Sequence, residues 1–499
     1  MERHPRRWLI LAVLCLCTLV LVVDNGVLTV AIPTLTRDLG ATAQDIQWIT
    51  ASYILVFAGL LLTAGSLSDR FGRRRVMIIG LVVFGVASAL ATYAAGPGQL
   101  IIGRILMGLG GALVMPSTLS ILITVFDDDE RRRATSLWSS ALMLGVIGGP
   151  VLGGVLISTF WWGSVFLINV PVAVVAIIAA LAWMPESKAP ARKADPPGVV
   201  LSALGMSALV WAIIELPRHG FAHPLVLTAL GVGAVAMVTF VLWQARAPYP
   251  MVPLALFRDR NFTGGSLALV LVQVGTSGLL LALPQYLQFV LGYTPTQAGL
   301  AIAPMALATI AANAVGGALG NRIGNRPLAV IGIAVLATGF AFLATTSPGD
   351  GYGSVVTALV LFGVGTGLAQ PAAVAALMGA VPHEHAGVGS ALNDTMQQGG
   401  GALGVAVLGS VLASAFTAAM PDTATEHARR SISDALGVAA RTADTALAET
   451  ATTAFTTAMS VTSVAGGVLA LAGAALAFLL IRDRKGLRAV PDIVSGTHH

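Results

Sequence analysis

Gly65-Ser66-Leu67-Ser68-Asp69-Arg70-Phe71-Gly72-Arg73-Arg74-Arg75 is a short charged segment between two long apolar runs. The runs, Ile46 to Leu67 before it and Val76 to Ala95 after it, are each long enough to cross a bilayer, which takes about 20 apolar residues at 1.5 Å per residue. Two spans joined by so few residues form an antiparallel helical hairpin. Arg70, Arg73, Arg74 and Arg75 place its turn on the cytoplasmic side, because basic residues are retained there. Gly65 and Gly72 let the helix ends approach and turn. Asp69 is placed to reach the N-terminal amides of the next helix or one of the arginines. On charge alone the segment also reads as a plain topogenic loop.

The rest of the chain carries the same apolar character. Of its 499 residues, 56% are hydrophobic and 10% charged, and the mean hydropathy is +0.84. Soluble proteins carry about 25% charged residues, so this is a polytopic membrane protein. The net charge of +5 is assigned to loops facing anionic lipid and needs no nucleic-acid partner. Cys15 and Cys17 point to different faces of one helix, which implies neither a disulfide nor a metal site. Lys188, Lys193 and Lys485 are the only lysines, and none is followed by Ser or Thr, so no phosphate-binding P-loop occurs. HExxH and paired CxxC motifs are absent as well. These observations point away from an enzyme, a metal and a cofactor. They point to passive or ion-coupled transport of a small molecule, with no ATPase subunit required. Arg6-Arg7 precedes the first apolar run, but the run continues into Asp24 and Pro33 without a small-x-small site, and it reads as a retained span.

Fourteen candidate spans follow, starting near Trp8, Ile46, Val76, Gln99, Ala134, Ser164, Gly198, Pro224, Thr263, Ala298, Pro327, Ser354, Gly387 and Ala454. With loops alternating inside and outside, the outer segments hold only Arg37, Arg218, Arg429, Arg430 and Arg441 of the 28 Lys and Arg. Arg104 alone lies inside a span, and the remainder fall inside the cell. Both termini are therefore expected in the cytoplasm of a cell-membrane protein. The halves repeat. Gly317-Ala318-Leu319-Gly320-Asn321-Arg322-Ile323-Gly324-Asn325-Arg326 echoes the opening segment, Gly108 through Pro116 is echoed by Gly363 through Pro371, and Glu130 with Ser136 is echoed by Glu384 with Ser390. The expected fold is an all-α polytopic membrane protein of fourteen transmembrane helices. Two six-helix bundles with a pseudo-twofold repeat, residues 1–186 and 248–499, flank a cytoplasmic linker and two extra helices within 187–247. A long outer loop is expected at about 415–453. Its Ile432, Leu436 and Val438 fit a short amphipathic helix on the membrane surface, and a disordered loop is the other reading.

A charge at the centre of a span costs about 2.5–3.5 kcal/mol, so each one asks for a reason. Asp24 lies roughly 16 residues into the first span and Arg104 about five into the fourth, at similar depth in the outer half of the bilayer. They pair naturally, either to couple protons or only to lock two helices. Asp394, in the inner half of the thirteenth span, has no Lys or Arg in that span. It reads as a substrate-binding charge or as a cavity residue kept protonated. Glu215 sits at an outer span end and reads as interfacial. The histidines fall in loops, tails or span ends, so an aspartate must carry any coupling proton. Tyr53, Phe57, Trp138, Met143, Gln273, Gln285 and Gln288 outline a candidate cavity, with packing or lipid contact as the plainer reading. In the fifth span Gly145, Gly149, Pro150, Gly153 and Gly154 provide small residues for close helix packing and a proline for a bend.

Several of these motifs carry a resemblance. The opening segment resembles the loop between helices 2 and 3 of the major facilitator superfamily. As a charged hinge at a bundle edge, with a weaker copy from Asn321 to Arg326, it is expected to gate through Gly65, Asp69, Arg70, Gly72 and Arg73. Gly145-x-x-x-Gly149-Pro150-x-x-Gly153-Gly154 resembles the signature of superfamily exporters that exchange substrate for protons. Asp24 through Pro33 is similar to the first-helix motif of the fourteen-helix drug/proton antiporters, departing from it at Gly26 and Thr29. In the fourth span Met107 stands where a Gln is frequent. Ser390 through Gly400 looks like the quaternary-ammonium multidrug exporters, among which an acidic residue at the position of Asp394 goes with cationic substrates. Met396-Gln397-Gln398 replaces a commonly charged stretch there. The resemblance implies a proton-coupled exporter of amphipathic, cationic small molecules, with Asp24 and Arg104 for coupling. Asp394, Tyr53, Trp138, Gln273 and Gln285 are the expected substrate contacts. A dedicated exporter of one endogenous metabolite or antibiotic, or a transporter-like membrane sensor, are the alternatives.

Overall fold

The computed structural model describes residues 6–126, 128–188, 195–250, 252–347, 349–381 and 386–482. Within the helices some side chains, those of Asp69 and Met143 among them, lie outside that description. The chain runs through α1 (Arg7–Leu39), α2 (Ala43–Phe71), α3 (Arg73–Thr92), α4 (Pro97–Val125), α5 (Asp128–Thr159), a short α6 (Ser164–Leu167) and α7 (Asn169–Trp183). It continues through α8 (Pro196–His219) and α9 (Pro224–Arg246). Then come α10 (Arg260–Gln285), α11 (Pro295–Ile323), α12 (Asn325–Ala344), α13 (Gly351–Gly379), α14 (Ala386–Ala419), α15 (Ile432–Thr442) and α16 (Thr445–Leu480). Among the described residues, 12 helices are long and apolar enough to cross a membrane. That count omits α2 and α5, which are 29 and 32 residues long and carry side chains outside the description.

Local chemistry sets the helix ends. Thr42 and Asp45 form a capping box on α2, and Thr294 and Gln297 form one at the matching place on α11. α2 passes to α3, and α11 to α12, through single glycines at positive φ, Gly72 (113°) and Gly324 (90°), where a side chain is strained. The repeat extends to packing. A methyl added to Gly80 would lie 2.7 Å from the Gly110 carbonyl oxygen, and one on Gly332 2.8 Å from that of Gly365. α3 thus meets α4, and α12 meets α13, backbone to backbone.

Buried apolar side chains gather into two clusters, one drawn mainly from α1–α8 and one mainly from Leu256 onward. The two groups of helices meet where α2 packs on α14 and α5 on α11. α8 and α9 pack on each other, and α8 leans on α2 and α14. Leu90, Ile178, Val235, Leu307 and Leu479 stand more than half exposed, an apolar exterior suited to lipid.

The outer loop expected over 415–453 needs correction. α14 continues to Ala419 and α16 begins at Thr445, capped by Asp444, which accepts from Leu447 N at 3.0 Å. The Ala- and Thr-rich start of α16 is helical despite its low hydropathy, because Ala favours helix whatever its surroundings. Between them α15 is folded, with Ser431 accepting from Asp434 N at 3.1 Å. Its Ile432, Ala435 and Ala439 are buried, and it packs on α16 rather than lying free on the membrane surface.

Candidate functional site

Asp24, in mid-α1, and Arg104, in α4, form an ion pair with Nη1 to Oδ2 at 2.5 Å, and their side chains are 1% and 0% exposed. Arg104 Nε donates to the Ile49 carbonyl at 3.1 Å and Nη2 reaches Asn25 Oδ1 at 3.4 Å. The guanidinium lies 4.3 Å from the centre of the Tyr53 ring, close enough for a cation–π contact. Gly108 makes this approach feasible: a methyl there would lie 2.6 Å from the Tyr53 carbonyl oxygen. The other carboxylate oxygen, Asp24 Oδ1, accepts from Asn169 Nδ2 of α7 at 2.7 Å, and the same amide nitrogen reaches Ser88 Oγ of α3 at 3.3 Å. Five helices therefore converge on one carboxylate. A buried pair of this kind is costly to break from one side, by about 3–5 kcal/mol, because the remaining charge is stranded.

The glycine face of α5 closes over α1 just beside this pair. A methyl on Gly149 would lie 2.9 Å from Gly26 Cα, and one on Gly153 2.9 Å from Val27 Cα. Gly26, the departure noted in the first-helix motif, is the counterpart of that contact: its own added methyl would meet Gly149 Cα and Pro150 Cδ at 3.0 Å. Gly145 faces Val22 and Leu19 in the same way. Toward its C-terminal end α5 turns this face to α11. Gly154 lies against the backbone of Pro295 and Thr296, Gly299 against that of Pro150, and the Ser158 and Thr296 hydroxyls share a hydrogen bond of 2.9 Å. Nearby, Gln288 Nε2 donates to the Val30 carbonyl at 3.0 Å. A cavity of about 40 Å³ remains between α1, α2, α10, α14 and α15, with Thr36, Gln47, Gln285 and Arg430 on its wall. At roughly 10–15 Å³ per water this holds a few waters and not a drug-sized molecule.

The α2–α3 turn draws on a residue far along the chain. The first amides of α3 are capped by Glu186: Arg74 N donates to Oε1 at 3.0 Å and Arg75 N to Oε2 at 3.2 Å. Asp69, expected to reach those amides or one of the arginines, has its side chain outside the described residues. Arg73 Nη1 bonds Ser120 O at 3.2 Å and Thr124 Oγ1 at 2.5 Å, on the inner end of α4. Arg70 is exposed, 5.2 Å from the Phe71 ring, and a methyl on Gly65 would sit 3.7 Å from Pro116 Cβ.

The profile of the Major Facilitator Superfamily matches residues 14–405. The chain belongs to the major facilitator superfamily. It is 34% identical to the multidrug efflux pump LfrA of Mycolicibacterium smegmatis, over 96% of this chain and 97% of that one. It is 32% identical to the tetracenomycin C resistance and export protein of Streptomyces glaucescens, over 84% and 78%. It is 31% identical to the methyl viologen resistance protein SmvA of Salmonella typhimurium, over 83% and 84%. In fold it is similar to a bacterial homolog of the human lysosomal transporter Spinster, with a TM-score of 0.70 at 17% identity over 95% of this chain and 97% of the other. The xylose transporter XylE of E. coli gives 0.61 at 13% identity, over 96% and 99%.

Within this superfamily fold the remaining residues singled out by sequence fall at separate places. Trp138 of α5 is 9% exposed and donates from Nε1 to Thr18 Oγ1 at 2.9 Å. Tyr53 is 3% exposed, packed on Arg104 and stacked on Phe57 with ring centres 5.8 Å apart. Gln273 of α10 faces Gly400 and Gly401 of α14. Gln285 donates to its own Leu281 carbonyl at 2.8 Å. Asp394, half-buried on α14, accepts from Asn393 Nδ2 at 3.0 Å and makes no ion pair among the described residues. One turn along, Gln370 Nε2 donates to Gln397 Oε1 at 2.6 Å. Asn169, Ser88 and Glu186 escaped sequence reasoning. Asn169 carried one signal, as the sole amide in the apolar run 164–183.

Proposed function

We propose that this chain is a proton-coupled secondary active exporter of amphipathic, cationic small molecules. The observation that carries the reading is the Asp24–Arg104 pair, an ionisable carboxylate sealed inside the protein, in a chain whose relatives include a multidrug efflux pump and resistance proteins. Asp24 takes a proton when the outer ends part and releases it to the cytoplasm after the two helix groups rock. Arg104 holds the carboxylate between those events. One pH unit supplies about 1.4 kcal/mol; exchange of one proton for one monovalent cation moves no net charge, so the potential, about 2.3 kcal/mol per charge at 100 mV, adds to this only for a neutral substrate.

The chain is read as fourteen transmembrane helices in a cell membrane with both termini cytoplasmic. α1–α7 and α10–α14 with α16 form two six-helix bundles, and α8–α9 is an inserted pair. Asp394 supplies the negative charge for a cationic substrate, because no cation pairs with it among the described residues. The cytoplasmic turn, Asp69 and Arg73 included, holds the inner ends together when the cavity faces outward.

The test is transport in proteoliposomes with an imposed pH gradient. Asp24→Asn is expected to abolish accumulation of substrate against its gradient. Continued accumulation would make Asp24 structural and route the proton through Asp394 or elsewhere. A second reading, export of one endogenous antibiotic, is favoured by relatives named for resistance to tetracenomycin C and puromycin. A panel of labelled compounds separates the two: one transported species supports it, and many chemically unrelated cations oppose it.

A further inference from the structure

We propose that Asn169 is a positioning residue for the coupling proton, its side-chain amide turning over as Asp24 gains and loses that proton. The inference rests on the reading of Asp24 as proton carrier. Asn169 opens α7 and is 1% exposed. Its Nδ2 donates both to Asp24 Oδ1 and to Ser88 Oγ, while its Oδ1 is buried with no partner among the described residues. A buried amide oxygen without a donor is uncommon and asks for an explanation.

Protonation of Asp24 supplies the missing donor. Oδ2 is already held by Arg104 Nη1, so the oxygen that takes the proton is Oδ1, the one facing Asn169. A new O–H bond forms there with a proton from outer water, and nothing is oxidised or reduced. The carboxyl then presents a donor where the amide also presents one, and two donors repel. A half-turn of the amide sets its oxygen against the new O–H and against the Ser88 hydroxyl, which accepts in one state and donates in the other. The unpaired atom is then Nδ2 in place of Oδ1. Each protonation state thus leaves one amide atom unpaired, so Asn169 serves both states and traps neither.

The charged and titratable groups that face Asp24 among the described residues are Arg104 of α4 and Tyr53 of α2. α3 and α7 contribute Ser88 and Asn169, which do not ionise, and α5 covers α1 there through glycines. Asn169 is accordingly the group at Oδ1 able both to give and to accept.

The test uses the full chain in proteoliposomes with labelled tetraphenylphosphonium as probe. Two rates are read: exchange driven by a pH gradient, and counterflow at equal pH, which moves no net proton. Asn169→Leu, similar in size and unable to give or accept, is expected to lower driven exchange at least about tenfold while counterflow stays within about twofold. Asn169→Ser, with a hydroxyl and room for a turning water, is expected to restore exchange to within about threefold of the native chain. Unchanged exchange in Asn169→Leu, or equal loss of both rates in Asn169→Leu with no recovery in Asn169→Ser, overturns the inference. Asp24→Asn in the same vesicles separates the two claims. If exchange survives Asp24→Asn, the reading of Asp24 fails and the role of Asn169 fails with it. If exchange is lost there but persists in Asn169→Leu, only the role of Asn169 fails.

Discussion

Gly149 belongs to the α5 motif and the adjacent Gly148 fills one of its variable positions, and the two have different surroundings. A methyl on Gly149 would lie 2.9 Å from Gly26 Cα and 3.1 Å from the Val23 carbonyl oxygen, whereas one on Gly148 meets nothing within 4 Å. Gly149→Ala is expected to destabilise the protein by about 1–3 kcal/mol, the usual cost of overpacking. Gly148→Ala is expected to be neutral or stabilising, since Ala gains about 0.5–1 kcal/mol over Gly within a helix. Thermal unfolding in detergent compares the two directly, and equal losses would mean that the motif's glycines act through flexibility rather than contact. Asp394 makes a second case at this scale. Its bond to the neighbouring Asn393 amide leaves it without a cationic partner among the described residues. In a low-dielectric cavity a substrate cation is then its natural counter-ion. Asp394→Asn is expected to reduce export of cationic dyes more than of neutral compounds, measured as accumulation in cells. Equal loss would assign the residue to the proton path or to folding.

The α2–α3 turn shows how an element is finished from a distance. α3 starts with three arginines, an unfavourable charge for the positive end of a helix. The carboxylate of Glu186 answers both problems. It takes the amides of Arg74 and Arg75, and it lies 3.8 Å from Arg75 Nε. Arg74 Nη1 adds a bond to the Met184 carbonyl at 2.8 Å. The segment after α7 is thereby tied to the start of α3. Glu186→Ala is expected to cost about 1 kcal/mol, the usual worth of a helix cap, and to speed amide exchange in residues 73–76 roughly fivefold. Hydrogen exchange resolved to that peptide checks it. Unaltered exchange would show that the arginines hold the turn without the cap.

For the molecule as a whole, the junction between α5 and α11 is a backbone contact. Gly154 and Gly299 bring the two helices together, and the Ser158–Thr296 bond fastens their ends. Because packed interfaces switch between discrete arrangements, a side chain forced into this contact shifts the population rather than merely straining it. Gly154→Leu is expected to favour the outward-open state. A cysteine placed at Gln285, on the wall of the small cavity, should then react faster with an impermeant thiol reagent added outside, with Cys15 and Cys17 first replaced by serine. No change in labelling would mean that the junction is held elsewhere, for instance by the bond from Gln288 to Val30.

Hydropathy and charge are sums along the chain, so the sequence by itself determined what depends on such sums. It determined the membrane class, the repeat of the turn glycines Gly72 and Gly324, and the two aspartates and one arginine that stand in apolar runs. Asp24 and Arg104 were paired from depth alone, because a lone charge in an apolar run has few partners to choose from. Only the tertiary structure decided which neutral groups complete that pair. Asn169 and Ser88 are 145 and 64 positions from Asp24, and a single amide or hydroxyl in an apolar run carries no trace of what it will face. The same holds for Glu186 on the amides of α3. It holds for Tyr53, whose ring lies on Arg104 instead of on an open cavity, and for α15, whose small apolar face is buried on α16. Each of these depends on where helices cross, and crossing points are set by backbone contacts at Gly26, Gly108 and Gly149, between residues far apart in the chain.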